Sequence, residues 1–180
     1  MAITKTALAQ NDYIVTLKND TLRGEVKNTL FGYKHRFKET GQSKSNLITV
    51  KNTKLYSKIS NKKVNTYEAR ILPDKKKPIF MELLEKGDIN LYELIVYNGG
   101  MNGSTTTNWY ASKGSGPLFS LKTSALAFNR ADKEKSFEQL LSDNPALWAN
   151  FKAEKSFSFK VLRKYINLYN HEKIKTVTSE

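Results

Sequence analysis

Four carboxylates fall in one short stretch, Glu82, Glu85, Asp88 and Glu93, around a turn at Glu85-Lys86-Gly87-Asp88. If the flanking residues form a hairpin, Glu82 and Glu93 meet across its strands. Paired carboxylates are the equipment of glycoside hydrolysis. Each of the four also stands beside lysines or at the turn, where solvated charge is all that its position requires. No second constellation supports catalysis, and no catalytic residue is expected. The two histidines are His35, in a basic stretch, and His171, near the C-terminus. They have no His-x-x-x-His spacing for a metal and no Gly-x-Ser-x-Gly to serve as a base. Neither Gly-x-x-x-x-Gly-Lys nor Gly-x-Gly-x-x-Gly occurs to cradle phosphate. The absence of cysteine removes disulfides, thiolate ligands and thiol nucleophiles. The expectation is a protein with no metal and no cofactor.

Charge is the stronger signal. Lys and Arg number 30 against 17 Asp and Glu, a net charge of +13 over 180 residues. Such a surface attracts polyanions, with an affinity that falls steeply as salt rises. Lys75, Lys76 and Lys77 stand between two prolines, Lys62 and Lys63 at a turn, and Lys160, Arg163 and Lys164 on a helical stretch. On that stretch Lys160 and Lys164 share a face. Trp109 and Tyr110 supply aromatic area on which sugars or bases stack. The candidate ligand surface is therefore Trp109, Tyr110, Lys75, Lys76, Lys77, Lys160 and Lys164. Lysines recur in almost every loop and turn, however, which solvation of a basic domain alone produces. The expectation is scattered charge rather than one focused patch.

The elements that must position these residues follow from periodicity. Hydrophobic residues at 39% and aromatics at 11% suffice for a core, which excludes wholesale disorder. Alternation predicts a hairpin of Tyr13–Lys18 and Thr21–Val26 about Asn19-Asp20, with Tyr13, Val15 and Leu17 on one face. Gly24 inside the second arm predicts a bulge or a close crossing of another strand. Asn28 to Ser45 reads as an extended, exposed connection carrying Lys34, His35, Arg36, Lys38 and Lys44. Strands are expected at Leu47–Val50, Lys54–Ile59 and Val64–Leu72. From Ile79 to Val96 both faces are apolar, which predicts a central hairpin covered on both sides. Asn98–Asn108 reads as a polar, mobile loop. Trp109–Ser112 and Leu118–Leu121 flank a turn.

After about Phe128 the period becomes helical. Phe137, Leu140 and Leu141 share one face. Asn144-Pro145 is an N-cap with proline at the first helical position. Ser158 caps a helix bearing Phe159, Leu162, Ile166 and Tyr169. Leu83, Leu91, Tyr92, Leu121, Leu140, Trp148, Phe151, Leu162 and Ile166 are the expected core joining helices to sheet. The fold class is α+β: antiparallel hairpins forming a sheet or small barrel, then two or three short helices packed on it. The expected organisation is a single domain over 13–171, β-rich to 128 and helical from 129, followed by a flexible tail at 172–180. Residues 1–12 read as a signal remnant or flexible start, because Ala7-Leu8-Ala9 before Gln10 has the small-x-small form of a secretory cleavage site.

Three segments carry a resemblance. The run Tyr-Ile-Val-Thr-Leu-Lys-Asn-Asp-Thr-Leu-Arg-Gly at 13–24 is similar to the opening of a family of uncharacterised secreted proteins of Bacteroidota. So are Phe80–Tyr92 and the pattern of Leu140-Leu141, Asp143, Pro145, Lys164-Tyr165-Ile166 and Tyr169-Asn170. The resemblance implies an extracytoplasmic location, in the periplasm, on the outer surface or secreted. It brings no activity and no site residues. Val15–Lys27 also resembles the opening hairpin of Sm-like RNA-binding barrels. The resulting expectation is a non-enzymatic extracytoplasmic module that binds an envelope protein or acidic polysaccharide. The alternative is a basic domain that binds nucleic acid or another polyanion.

Overall fold

The computed structural model describes residues 12–29, 34–99, 103–125 and 129–177. Among these residues ten strands precede three helices, and the strands pair antiparallel. This is the expected α+β class. The chain divides after Ala69 into two compact units, and in neither does the strand order close on itself. The open sheet, not the barrel, is the form built.

The first unit contains β1 (Asp12–Thr16), β2 (Thr21–Asn28), β3 (His35–Glu39), β4 (Asn46–Leu47), β5 (Thr53–Ser60) and most of β6 (Lys63–Ile71). Four strands meander in sequence order, and β5 returns to the free side of β1. Asn61 and Lys62, both at positive φ (50° and 64°), make the tight turn between β5 and β6. The first hairpin forms, but its parity is the reverse of the expected one. Ile14 opposes Leu22 on the buried face, while Tyr13 and Val15 are half-buried and Leu17 sits exposed in the turn. Asp12 stands at the start of β1. Its carboxylate accepts Val26 N–H at 2.7 Å and Ile59 N–H at 2.8 Å, taking the place of a backbone partner for both flanking strands.

Gly24 performs the expected close crossing. A Cβ there would lie 2.1 Å from the Lys38 carbonyl oxygen of β3, so only glycine fits. Two readings are corrected here. Residues 28–45 are not an exposed connection throughout, because His35–Glu39 form β3 and bury Phe37 against Val26. The strand expected at Leu47–Val50 is only Asn46–Leu47. Asn52 ends it by capping Thr49 N–H through its side-chain oxygen at 2.9 Å, which turns the chain into one helical turn.

The second unit contains β7 (Pro78–Glu85), β8 (Ile89–Asn98), β9 (Ser104–Lys113) and β10 (Phe119–Thr123), a meander of four strands. It ends in α1 (Arg130–Leu141), α2 (Pro145–Lys152) and α3 (Phe159–Val177). Asn129 and Asn144 cap the first two helices through their side chains, and the Ser158 hydroxyl accepts Val161 N–H at the start of the third. One face of the sheet presents Ile89, Leu91, Ala111 and Leu121 to Phe137, Leu140, Leu141, Leu147, Phe151, Leu162, Ile166 and Tyr169. The other presents Tyr92 to Leu72, Met81 and Leu118. Tyr92 is thus buried as expected but on the face away from the helices. Leu83 and Trp148 are half-buried rather than fully enclosed.

The central hairpin is covered on both faces only along its first half. Ile95, Val96 and Tyr97 at the far end of β8 are exposed at 59%, 38% and 54%. The expected loop at Asn98–Asn108 is largely strand, since β8 and β9 pair out to Asn98 opposite Ser104. Threonines at 105–107 suit this half-exposed ribbon. Among the described residues, no helix is long and apolar enough to cross a membrane.

Two polar ties dock the helices. The buried Asn170 side chain accepts Ile89 N–H at 2.9 Å and donates to the Ile89 carbonyl at 2.9 Å. It pairs with this strand residue as a neighbouring strand would. A Cβ on Gly87 would lie 2.4 Å from Asn170 Cγ. Asp143, between α1 and α2, accepts from Lys113 Nζ and from the Tyr169 hydroxyl, each at 2.7 Å. Burial pushes its carboxyl up, but these bonds and the Lys113 charge outweigh burial and hold it down at about 2.

Asn170→Ala leaves both polar groups of Ile89 buried without a partner and should cost about 2–4 kcal/mol in urea melts. Gly87→Ala should destabilise the wild type yet be tolerated in the Asn170→Ala background, since the clash is with that side chain. Asp143 has a depressed folded pKa, so its contribution is complete above the unfolded value near 4 and is lost as pH falls through about 2. Its carboxylate is 44% exposed, so solvent screening limits the loss to about 1 kcal/mol. Acid unfolding of Tyr169→Phe should show a smaller loss over that window than the wild type.

Candidate functional site

The first unit holds a cleft of about 440 Å³ on the buried face of β1, β2 and β3. Its floor is Ile14, Leu22, Phe37, Leu47 and Ile48. These side chains share one face because the register sets Ile14 against Leu22 and Phe37 against Val26. One wall is the turn into β5, fixed by Asn52. Asn52 accepts from the Thr49 and Thr53 hydroxyls at 3.0 Å and donates to the Leu47 carbonyl at 3.0 Å. The other wall is the turn after β3, where Gly41 at φ +84° lets Gln42 N–H bond the Glu39 carbonyl. Asn52 and Thr53 spend their polar groups on the wall itself. The rim side chains of Glu39, Gln42, Lys44 and Asn46 form no hydrogen bond or ion pair among the described residues. They leave one carboxylate, one ammonium and two amides facing solvent around an apolar floor.

Next to the cleft residues, His35 lies 5.2 Å from the Tyr56 ring, and Tyr56 stacks on Tyr67 at 4.8 Å. The Tyr56 hydroxyl bonds His35 Nδ1 at 3.2 Å. Burial, with help from the Lys58 charge, lowers the pKa of this imidazole and favours its neutral form.

The residues singled out from sequence are dispersed. Trp109 and Tyr110 are neighbours on β9 and therefore point to opposite faces. Trp109 lies on the helix face, stacked on Phe159 at 4.5 Å, and its indole N–H donates to Glu93 Oε2 at 2.8 Å. Tyr110 packs with Tyr92 and Leu118 on the other face. Its hydroxyl pKa is raised by burial and then by the charge of Asp74. Leu72, just before the loop of Lys75, Lys76 and Lys77, packs in the same cluster, so the loop leaves from the Tyr110 face. Lys160 and Lys164 are exposed on α3, on the helix face, and Lys164 is paired with Glu154 at 2.9 Å. The lysines are therefore divided between the two sides of the second unit's sheet, as Trp109 and Tyr110 are.

The carboxylates behave partly as expected. Glu82 and Glu93 oppose each other across β7 and β8. Glu93 is engaged by Trp109, and Glu85 is bound by Arg163. His171 is exposed, and its Nδ1 lies 2.7 Å from the Asn167 carbonyl oxygen. Sequence reasoning did not find the cleft. Its floor residue Phe37 is the one apolar residue in His35-Arg36-Phe37-Lys38-Glu39, too weak an alternation to mark a strand.

Comparison with known proteins gives no match: no family model fits the chain, and no curated protein or solved structure is significantly similar to it.

Proposed function

We propose that this chain is a non-enzymatic binding module whose ligand seat is the cleft of the first unit. One observation carries the reading, namely an apolar floor bounded by rim side chains of both charges that have no partner of their own. Ligand sites have this composition, with apolar walls for affinity and a few polar groups for orientation. A floor built on Phe37, Ile14 and Ile48 accepts an apolar side chain. Amides at Gln42 and Asn46, with Glu39 and Lys44, suit the peptide groups on either side of it. The ligand class is therefore an apolar residue within an extended segment of a partner protein. The extracytoplasmic location, and a partner in the cell envelope, rest on the Ala7-Leu8-Ala9 pattern and on the resemblance to secreted Bacteroidota proteins.

N-acetyl-leucine amide and N-acetyl-phenylalanine amide, titrated into ¹⁵N-labelled protein, should shift the amides of Ile14, Leu22, Phe37 and Ile48 in a saturable way. Gln42→Trp, an exposed rim substitution that roofs the cleft, should abolish those shifts without altering thermal stability. Shifts centred on Trp109 or Tyr110 instead would refute the cleft as the seat.

A further inference from the structure

The strands that build the cleft carry a second surface on their other side. Residues of β2 and β3 that alternate with the half-buried Leu22 and the buried Val26 and Phe37 are Arg23, Glu25, Lys27, Arg36 and Lys38, all exposed. The register sets Lys27 directly opposite Arg36 and Glu25 directly opposite Lys38. Four cations thus share one ladder with one carboxylate, 4 − 1, a local charge of +3. Like charges directly opposite across strands repel, and the Lys27–Glu25 pair at 3.1 Å offsets one cation only. Arg36 leans outward to Ser45, whose hydroxyl and carbonyl it bonds at 3.0 and 2.6 Å. At the Gly24 crossing the ladder borders a shallow depression of about 470 Å³, lined by Gly24, Glu25, Lys38, Glu39, Thr40 and Gln42.

We infer that this face of β2 and β3 is a binding site for a linear acidic polysaccharide. On β3, Arg36 and Lys38 stand roughly 7 Å apart on one face, and on β2, Arg23 and Lys27 stand about 14 Å apart with Glu25 between them, so the site fits an extended chain that carries repeated anions. The flanking aromatic is Tyr13, opposite Arg23 and half-buried. A single-stranded nucleic acid is held by a row of stacking rings as well as by charge, and this ladder offers no such row. The cations lie on rigid paired strands, so a ligand finds them already gathered. The charge expected from sequence to be scattered is in this place focused by strand register.

A fluorescein-labelled heparin oligosaccharide, followed by anisotropy at low salt, tests the assignment. Polygalacturonate, single-stranded DNA and duplex DNA serve as competitors. The Arg23→Ala/Lys27→Ala/Lys38→Ala variant should bind about tenfold more weakly or worse, with a shallower salt dependence. Lys75→Ala/Lys76→Ala/Lys77→Ala removes the same charge from the second unit and, through the general loss of charge that counts at low salt, should weaken binding by no more than about threefold. Glu25→Gln, one neutral exposed substitution, should tighten binding about twofold or more, and it decides the matter if the triple variant fails to fold. Equal losses in the two triple variants, or no gain from Glu25→Gln, would overturn the inference. Either DNA competing better than polygalacturonate would assign the face to nucleic acid instead.

Discussion

The helical layer of the second unit depends on one side chain standing in for a strand. Ile89 opens β8 before its pairing with β7, which begins at Leu91 opposite Glu85. Its N–H and carbonyl point into a buried region, where unpaired backbone groups are costly. Asn170 supplies both partners. That requirement fixes the position of α3 along the sheet. Once Asn170 is seated, Leu162, Ile166 and Tyr169 face Leu91 and Leu121, Arg163 reaches Glu85, and Phe159 covers Trp109. Gly87 is part of the same constraint, because a side chain there would occupy the space of the amide.

The first unit uses a related device at the start of β1. Asp12 meets N–H groups of both β2 and β5 with one carboxylate, tying the two flanking strands to the start of β1. Gly24 then brings the backbone of β3 close enough for Phe37 to form the floor. Cleft and basic ladder are two consequences of one alternation. In a strand of period two, whatever aligns the apolar residues on one side aligns their charged neighbours on the other.

Much of this architecture is legible in the sequence. The switch from strand to helical period near Phe128, the Asn144-Pro145 cap and the crossing at Gly24 each rest on a local physical rule. The failures share a cause. β3 is five residues long and mostly charged, so its one apolar residue gives no alternation strong enough to recognise. Parity puts Leu17 on the strand face, but the turn takes it out of the strand. Aromatics and charge are visible one residue at a time, so the sequence points to Trp109 and Tyr110. A cleft assembled from β1, β2, β3 and the turn into β5 is visible only once pairing is known. Sequence proximity was misleading even for two adjacent rings, since strand geometry sends neighbours to opposite faces.

The Asn170 contact also separates the fate of one backbone proton from the strand to which it belongs. Amides inside a sheet exchange with deuterium when the sheet opens, and those in a helix when the helix does. The Ile89 amide lies in a strand but is held by a helix side chain. Its exchange therefore follows detachment of α3, while the amides of Leu91 and Tyr92, a few residues along β8, follow the opening of the strands. Two adjacent stretches of one strand thus keep different time, and the interval between them measures how far the helical layer leaves the sheet before the sheet itself comes apart.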